Sequence, residues 1–392
     1  QMAKAISKKA TKEKLDTRKR QIANSTAMGD LIKRLDESKD YELRTYGFDK
    51  IQGLTQLQYE MLSFVAYKGL QKAKCTRFDN FRNIVSILWP KIEWNIWLER
   101  QIQSLCDNQF VSWTGCAASG KTFAGALYCT VWWICQPDVS AAVLTSTTKG
   151  MLRKRMWSEV QKLYTSMEWN PPGNMVDSKT VWQAVKGDEK NAIFGLAVKD
   201  GNTSAAVGHI QGIHTSRVLI VIDEATDTPQ AIFDATANLY AGCEQFQMLV
   251  IGNPNSHYDP HGKFSEPKDG WNSVTVETED WETQIQLNGE PGYCVRFDAE
   301  RSPNIIAGKT TYKYLMTEHQ LEGSRRKYGP ESPLFWKFYR GFWAPSGVLK
   351  TVFNETLLAK MEAHLGFLFR REIKVIGACD PAFGGGDRAV LR

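Results

Sequence analysis

The residues most suited to chemistry belong to a loop bounded by glycines. Residues 115–122 read GCAASGKT and fit the phosphate-loop pattern G-x-x-x-x-G-K-[ST] at every fixed position. Such a loop turns its backbone N–H groups inward, and the helix after it adds a positive dipole, so it binds phosphate. An ordinary glycine-rich turn is the alternative. The predicted nucleotide-binding residues are Gly115, Cys116, Ala117, Ala118, Ser119, Gly120, Lys121 and Thr122.

Two carboxylates follow an apolar strand pattern farther along the chain. Residues 218–225 read VLIVIDEA, and apolar side chains on both faces predict a central parallel strand. We expect Asp223 and the Thr122 hydroxyl to hold Mg²⁺, Lys121 to reach the β- and γ-phosphates, and Glu224 to orient or deprotonate water. A solvated strand end is the alternative. Loop and acids together predict an enzyme that binds a nucleoside triphosphate such as ATP with Mg²⁺ and hydrolyses it.

A third polar group follows another apolar run. Residues 248–253 read MLVIGN, and a proline comes next. Ligands of doubly wound sheets bind outside the carboxyl ends of the strands. Asn253 is therefore a candidate to sense the γ-phosphate and relay hydrolysis, and a simple Asn-Pro turn remains the alternative.

These groups need a scaffold that brings strand ends to one edge of a sheet. Apolar runs predict strands at 108–113, 141–146, 192–198, 218–222, 247–251 and 273–276, and helices at 122–134, 149–166 and 229–241. Their alternation predicts an α/β fold, a P-loop NTPase whose mostly parallel sheet is flanked by helices. Most aromatic residues should pack the core, with Trp97 and Tyr128 as candidates to lie near an adenine.

The flanking regions differ from this core in composition. Residues 1–20 carry eight Lys or Arg and two acids, which equals the net charge of +6 for the whole chain. We interpret residues 1–90 as a basic arm and a small helical N-terminal subdomain, with a helix at 55–69. The arm is either a contact for nucleic acid or an acidic partner, or a solvated tail. The ATPase domain is predicted at 91–349, a linker helix at 350–370, and the first strand of a further domain at 371–392.

Bulk composition excludes other classes of protein. Hydrophobic residues make up 42% of the 392 residues, which supports sizeable cores. No apolar run approaches the roughly 18 residues that a membrane helix needs. The eight cysteines show no C-x-x-C spacing, which argues against a disulfide scaffold and a zinc module.

Four stretches in this order resemble the large terminase subunit of tailed bacteriophages. They are GCAASGKT, QGIHTSRVLIVIDEA at 211–225, MLVIGNPN at 248–255 and GACDPAFGGGD at 377–387. SPN at 302–304 and YRGFW at 339–343 also look like the region between the ATPase core and the nuclease of that family. The resemblance covers about residues 97–392.

The resemblance implies a ring-forming ATPase that drives double-stranded DNA into a procapsid, followed by an RNase-H-like nuclease. It implies sequence-independent contacts to DNA phosphates, a portal and a small terminase subunit as partners, and no membrane. The expected location is the cytoplasm of the infected bacterial host, transiently at the procapsid portal. The matching residues are Lys121 and Thr122 for phosphate and Mg²⁺, Asp223 for the metal, Glu224 for the catalytic base, Asn253 for coupling and Asp380 for the first nuclease metal.

Two departures from the family pattern qualify these expectations. Many terminases carry an arginine inside the phosphate loop, whereas this loop has none between Gly115 and Lys121. Arg153, Arg155 and Arg217 are therefore candidates to stabilise the transition state, in trans if a neighbouring subunit supplies them. A two-metal nuclease also needs several carboxylates from distant segments, and here only Asp380 and at most Asp387 are present. We expect a truncated nuclease domain without activity.

Two other functions remain open at this stage. The first is a DEAD-like helicase or translocase, because residues 223–226 read DEAT; the remaining chain is short for a second sheet domain and lacks its arginine-rich motif. The second is a DNA- or capsid-docking module whose nucleotide site is structural. The intact set of Lys121, Thr122, Asp223 and Glu224 argues against a decayed site.

Overall fold

The computed structural model describes residues 55–65, 76–188, 190–198 and 203–345, together with the backbone of two short strands at 379–380 and 390–391. A nine-stranded sheet forms the centre of this region, in the order β3-β4-β5-β2-β6-β7-β1-β9-β8. Neighbouring strands from β5 to β9 in this order are parallel, and β3, β4 and β8 extend the two edges in antiparallel pairing. The strands are β1 Phe110–Gly115, β2 Ser140–Ser146, β3 Asn174–Val176, β4 Val181–Gln183, β5 Ala192–Ala197, β6 Arg217–Ile222, β7 Gln245–Gly252, β8 Asp280–Ile285 and β9 Pro291–Phe297.

Helices cover both faces of the sheet, with short connections between them. Two of the longer helices begin at side-chain caps: Thr76 and Asp79 form a capping box, and Asn95 accepts from two backbone N–H groups. Two π-helical turns, Arg153–Trp157 and Trp336–Arg340, continue α5 and α12. The helices are α1 Gln56–Val65, α2 Arg77–Leu88, α3 Ile96–Asp107, α4 Lys121–Ile134, α5 Lys149–Leu152, α6 Ser158–Ser166, α7 Thr203–Gln211, α8 Gln230–Ala241, α9 Pro260–Ser265, α10 Pro303–Ile306, α11 Glu318–Tyr328 and α12 Pro333–Phe335.

Strand β6 shows why the central strands are apolar throughout. Leu219 and Val221 pack into one core, which also contains the inner faces of α2, α3 and α4. Val218 and Ile220 point the other way, into a second core with α7 and α8. Because successive side chains of a strand alternate between faces, a strand covered on both sides needs apolar residues at every position. Packing on both faces holds the sheet in place, and the sheet in turn sets the positions of the loops at the ends of its strands.

The expected α/β P-loop fold with a preceding helical region is confirmed. The strand expected at 273–276 is wrong: residues 271–273 form a 3₁₀ turn, and the strands of this region are β8 and β9. The sequence does not indicate β8 because most of its residues are polar and only Trp281 and Thr283 are buried. It does not indicate β9 because that strand begins at a proline and contains the buried Arg296. The helix expected at 149–166 is α5 and α6 joined by the π-helical turn.

The chain divides into two compact units, Gln1–Trp343 and Ala344–Arg392. In the second unit, Cys379–Asp380 pair in antiparallel fashion with Val390–Leu391, a second strand that the sequence did not predict. The basic arm, the linker helix at 350–370 and most of the RNase-H-like start lie outside the described residues, so they and the four-part domain division remain predictions. In the described parts, no helix is both long and apolar enough to cross a membrane.

Candidate nucleotide-binding site

The phosphate loop leaves the carboxyl end of β1, which lies between the parallel strands β7 and β9. Gly115 is required by space, because a Cβ there would lie 2.7 Å from the Cβ of Phe297. Gly120 takes the left-handed conformation at φ 77°, directly before α4, and Ala118 takes it at φ 53° although it carries a Cβ. The loop therefore has the tight curl that the sequence pattern predicts, and part of it is strained.

Lys121 is folded back into the loop and is only 8% exposed. Its Nζ donates to the carbonyl oxygens of Gly115 at 3.1 Å and Cys116 at 2.8 Å, and to the Ser119 hydroxyl at 2.9 Å. Burial lowers the pKa of Lys121 to about 8. All three hydrogen-bond acceptors are neutral, and the attraction of the nearby Asp223 only partly offsets the cost of burying this ammonium group.

Asp223 follows β6 and is buried, 4% exposed. Its Oδ2 atom has no hydrogen-bond partner in the described structure. Burial, followed by the nearby Glu224, raises the pKa of Asp223 to about 6. Arg155 and Lys121 act against this rise in the pKa of Asp223, but neither donates a hydrogen bond to Oδ2, so that oxygen is available to a cation.

The residues at this position fit Mg²⁺ brought by a nucleotide. Asp223 and Thr122 line the same cavity, and the Oδ2 of Asp223 is free to coordinate. Within the described ranges, no three His, Cys, Asp or Glu side chains gather into a metal cage. Mg²⁺ in nucleotide sites is commonly held by one or two protein oxygens plus phosphates and water, which agrees with this sparse set.

Glu224 is held in a strained backbone conformation, with φ 55° in the left-handed region. Such a conformation costs on the order of 1–3 kcal/mol for a residue with a side chain, and it occurs often at active sites. Thr147, which follows β2, donates its hydroxyl to Oε2 of Glu224 at 3.0 Å. Arg155 forms a salt bridge with Oε1. Both carboxylate oxygens are therefore occupied in this state.

Thr147 was missed in the sequence. It lies in the stretch TSTTKG directly after an apolar strand, so a hydroxyl at a strand end was its only signal. Nothing in that pattern shows which of the neighbouring hydroxyl groups faces the acid. The structure shows it, because β2 and β6 are adjacent parallel strands whose carboxyl ends meet.

The three candidate arginines differ in position. Arg155 lies on the π-helical turn after α5 and reaches the cavity. Single π-helical turns inside helices occur often at functional sites, because they change the direction of individual side chains. Arg153, on the same turn, instead donates to the carbonyl oxygens of Asp177 and Ser178, at 3.3 and 2.7 Å.

Arg217 is not a site residue, which corrects the expectation from sequence. It begins β6, so it lies at the opposite end of the strand from Asp223. Its side chain is buried over the ring of Trp132 and donates to Gln245 at 2.9 Å and Ser140 at 2.8 Å. In this position its side chain does not line the cavity.

Asn253 lies at the site. Its Nδ2 donates to the carbonyl oxygen of Gly115 at 2.6 Å, and its own carbonyl accepts from Thr226 at 2.8 Å. The side chain thus links the end of β7 to the first residue of the phosphate loop. A plain Asn-Pro turn would not need this contact.

A cavity of about 750 Å³ joins these groups. This volume is typical of a site for a small molecule. Trp97 and Tyr128 are core residues: Trp97 packs on Phe297, with ring centroids 5.6 Å apart, and the Tyr128 hydroxyl bonds to Gln247 at 2.7 Å. The apolar and aromatic side chains that line the cavity, and are available to a nucleoside base, are Ile92, Phe123, Tyr314 and Phe338.

Comparison with known proteins gives a likeness of fold. No family model matches the chain, and no curated protein does. Among solved structures, the large terminase of a thermophilic bacteriophage is 15% identical, over 66% of this chain and 56% of that one, with a TM-score of 0.42. Its complex with ADP is 13% identical, over 64% and 54%, with a TM-score of 0.41. The large terminase ATPase domain of Thermus phage P74-26 is 11% identical, over 66% and 97%, with a TM-score of 0.45.

All three of these solved structures are bacteriophage large terminases. The match spans about half the length of the first of them. At this identity and overlap the likeness says nothing about chemistry. Conclusions about function rest on the residues of this chain.

The raised pKa of Asp223 predicts that its charge destabilises the protein without nucleotide. An acid whose pKa is higher in the folded state contributes stability when protonated, and that contribution is lost as the pH rises through about 6. Asp223→Asn should therefore raise the melting temperature at pH 7.5 by a few degrees, at ~2–4 °C per kcal/mol. At pH 5 the gain should shrink.

Thermal unfolding of both proteins at the two pH values measures this effect. Asp269→Asn is the matched control, because Asp269 is exposed and should leave the melting temperature unchanged. A variant less stable than the wild type at pH 7.5 would contradict the assignment of an unpaired charge to Asp223.

Proposed function

We propose that this chain hydrolyses ATP with Mg²⁺ at the cavity described above. The observation that supports the proposal is the meeting of Lys121, Asp223 and Glu224 at the carboxyl ends of β1 and β6. Each of the three lacks something that Mg²⁺ and a triphosphate bring. Lys121 donates only to neutral acceptors, Oδ2 of Asp223 has no hydrogen-bond donor, and Glu224 is occupied by side chains that ligand binding can displace.

Each residue of the site has a separate role in the proposed reaction. Loop N–H groups and the start of α4 bind the phosphates, and Lys121 leaves its carbonyl acceptors to pair with the β- and γ-phosphates. Thr122 and Asp223 would hold Mg²⁺, which neutralises charge on the phosphates. Thr147 keeps Glu224 oriented so that its carboxylate accepts a proton from the attacking water. Asn253 connects the occupied loop to the end of β7.

In this proposal the guanidinium of Arg155 has two alternative partners, Glu224 and the γ-phosphate. In the structure this guanidinium forms a salt bridge with Oε1 of Glu224, the oxygen that an attacking water molecule would need. The same guanidinium lines the cavity that receives the phosphates, so a γ-phosphate offers it a second partner. We infer that nucleotide binding moves Arg155 from Glu224 to the γ-phosphate, where it stabilises the developing charge in cis. Arg153 remains the candidate for a contribution in trans.

The wider role that we propose is DNA packaging. The order of four terminase-like motifs supports a ring-forming motor that translocates double-stranded DNA into a procapsid, with a portal and a small terminase subunit as partners. Such a motor acts in the cytoplasm of the infected bacterial host. It grips phosphates rather than base edges, so its DNA binding depends on salt and little on sequence. A metal-binding role for Asp380 in a nuclease stays a prediction, because its side chain lies outside the described residues.

Replacement of the proposed base tests the assignment of catalysis. Glu224→Gln keeps the size and polarity of the side chain but cannot accept the proton of water. Turnover of ATP should fall by about 100- to 10,000-fold, the usual contribution of a general base, while ATP binding persists. Glu159→Gln is the matched control, because Glu159 lines the same cavity but pairs with Lys162 at 2.7 Å.

Steady-state ATP hydrolysis and equilibrium ATP binding are measured for both variants and compared with the wild type. Unchanged turnover in Glu224→Gln, or an equal loss in Glu159→Gln, would remove Glu224 from the role of base. Loss of ATP binding in Glu224→Gln would show that Glu224 contributes to binding, and it would contradict the prediction that only turnover is lost.

Removal of Arg155 separates its two roles. If it stabilises the γ-phosphate in the transition state, Arg155→Ala should lower kcat by about 1000-fold, the lower range for an arginine finger. Arg153→Ala, the neighbour on the same π-helical turn, should keep the hydrolysis rate of the isolated subunit. Rates at saturating ATP measure both, and a faster Arg155→Ala variant would show that Arg155 only restrains Glu224.

A further inference from the structure

A segment more than 200 residues after the phosphate loop in sequence packs against that loop. Residues 336–343, which we call the strap, comprise the π-helical turn Trp336–Arg340 and the three residues after it. The backbone N–H of Ala117 donates to the carbonyl oxygen of Phe338 at 2.8 Å. The side chain of Phe338 also lines the nucleotide cavity. The strap therefore contacts both the loop and the space that the loop encloses.

Gly341 makes the closest approach between the strap and the loop. It takes the left-handed conformation at φ 55°. A Cβ at this position would lie 2.5 Å from the Cα of Gly115 and 2.6 Å from both the backbone N of Cys116 and the carbonyl oxygen of Phe297. All three obstacles are backbone atoms, which cannot rotate away as a flexible side chain would. Only glycine lets the two segments pack in this way.

A group of buried charged side chains holds the strap in position. The side chain of Arg296 is fully buried and donates to the carbonyl oxygen of Arg340 at 3.2 and 2.8 Å. Asp298 pairs with Arg296 at 2.5 Å and with the side chain of Arg340 at 3.1 Å. Loss of one partner would leave a charge buried and unpaired, so this arrangement tolerates little displacement. The position of the strap is thus determined by β9, which also adjoins β1.

A second connection runs through the loop after β7. Trp343, the last residue of the first unit, donates its Nε1 to the carbonyl oxygen of Ser256 at 3.1 Å. Three residues before Ser256, Asn253 holds the carbonyl of Gly115. The strap therefore reaches Gly115 in two ways, by direct packing of Gly341 and through the segment 253–256.

We propose that the strap is a positioning element for the phosphate loop, and that nucleotide binding at the loop and the position of the strap are coupled. Gly341 and the carbonyl of Phe338 are its points of contact. The inference rests on the proposed nucleotide site but adds residues far along the chain to it. Since Lys121 must leave the carbonyls of Gly115 and Cys116 to bind phosphate, the residues it leaves are those that the strap touches.

Gly341→Ala tests the positioning role. The added methyl group must push the loop or the strap by about 1 Å, a displacement that can cost about 100-fold in kcat/KM. We expect the loss to appear in the affinity for Mg·ATP as well as in turnover. Gly308→Ala is the matched control: Gly308 also has a positive φ, of 62°, but a Cβ there meets no atom within 4 Å.

Affinity and thermal unfolding are measured for both variants. The proposal expects Gly341→Ala to bind Mg·ATP far more weakly than Gly308→Ala at a temperature at which thermal unfolding shows both variants to be folded. Equal affinities of wild type and both variants overturn the strap proposal alone. Absence of nucleotide binding in the wild type overturns the proposed function and this inference together.

Hydrogen exchange on the wild-type chain tests the coupling without requiring that the Gly341→Ala variant folds. Amide exchange of a peptide covering residues 333–345 is followed with and without Mg·ADP, and Lys121→Ala serves as the control deficient in binding. We expect nucleotide to change exchange in the wild type and not in Lys121→Ala. Unchanged exchange of this peptide, under conditions in which nucleotide shifts the melting temperature, contradicts the coupling.

Discussion

The structure depends on two charged groups, Lys121 and Asp223, that the fold buries at a cost their mutual attraction only partly offsets. Lys121 has only neutral oxygen acceptors, and one oxygen of Asp223 has no partner. Burial shifts the pKa of each group towards its neutral form. A protein gains no stability from this arrangement. It is explained if Mg²⁺ and a triphosphate supply both missing partners, and the rigid sheet offsets the cost until they bind.

Backbone strain occurs in the same place as these buried charges. Three residues other than glycine have a positive φ in the described part of the chain, and two of them, Ala118 and Glu224, belong to the site. The central strands on either side are buried on both faces, so they resist the relaxation that would relieve this strain. Contacts to the strap restrict the loop further. The site is therefore pre-organised by parts of the chain more than 200 residues apart, from Gly115 to Gly341.

The central strands and the loop were predictable because burial on both faces demands apolar runs, and because phosphate binding demands a fixed pattern of glycines. Residues whose role depends on contacts with distant parts of the chain could not be predicted from the sequence. Arg217 was a plausible site arginine in the sequence, but its place at the amino end of β6 sends it into the core. Thr147 had no pattern of its own, since its role depends on which strand lies beside β6. Strand β8 is mostly polar, with only Trp281 and Thr283 buried, and its edge position became clear only in the sheet.

The most direct test of this account is ATP hydrolysis by the purified chain, measured with and without duplex DNA over a range of protein concentrations. The account predicts turnover that requires Mg²⁺, increases with duplex DNA of any sequence, and weakens as salt screens the phosphate contacts. Turnover per subunit should also rise with protein concentration if a neighbour completes the site. Absence of hydrolysis under all these conditions would contradict the central claim, and stimulation by single strands alone would favour a helicase.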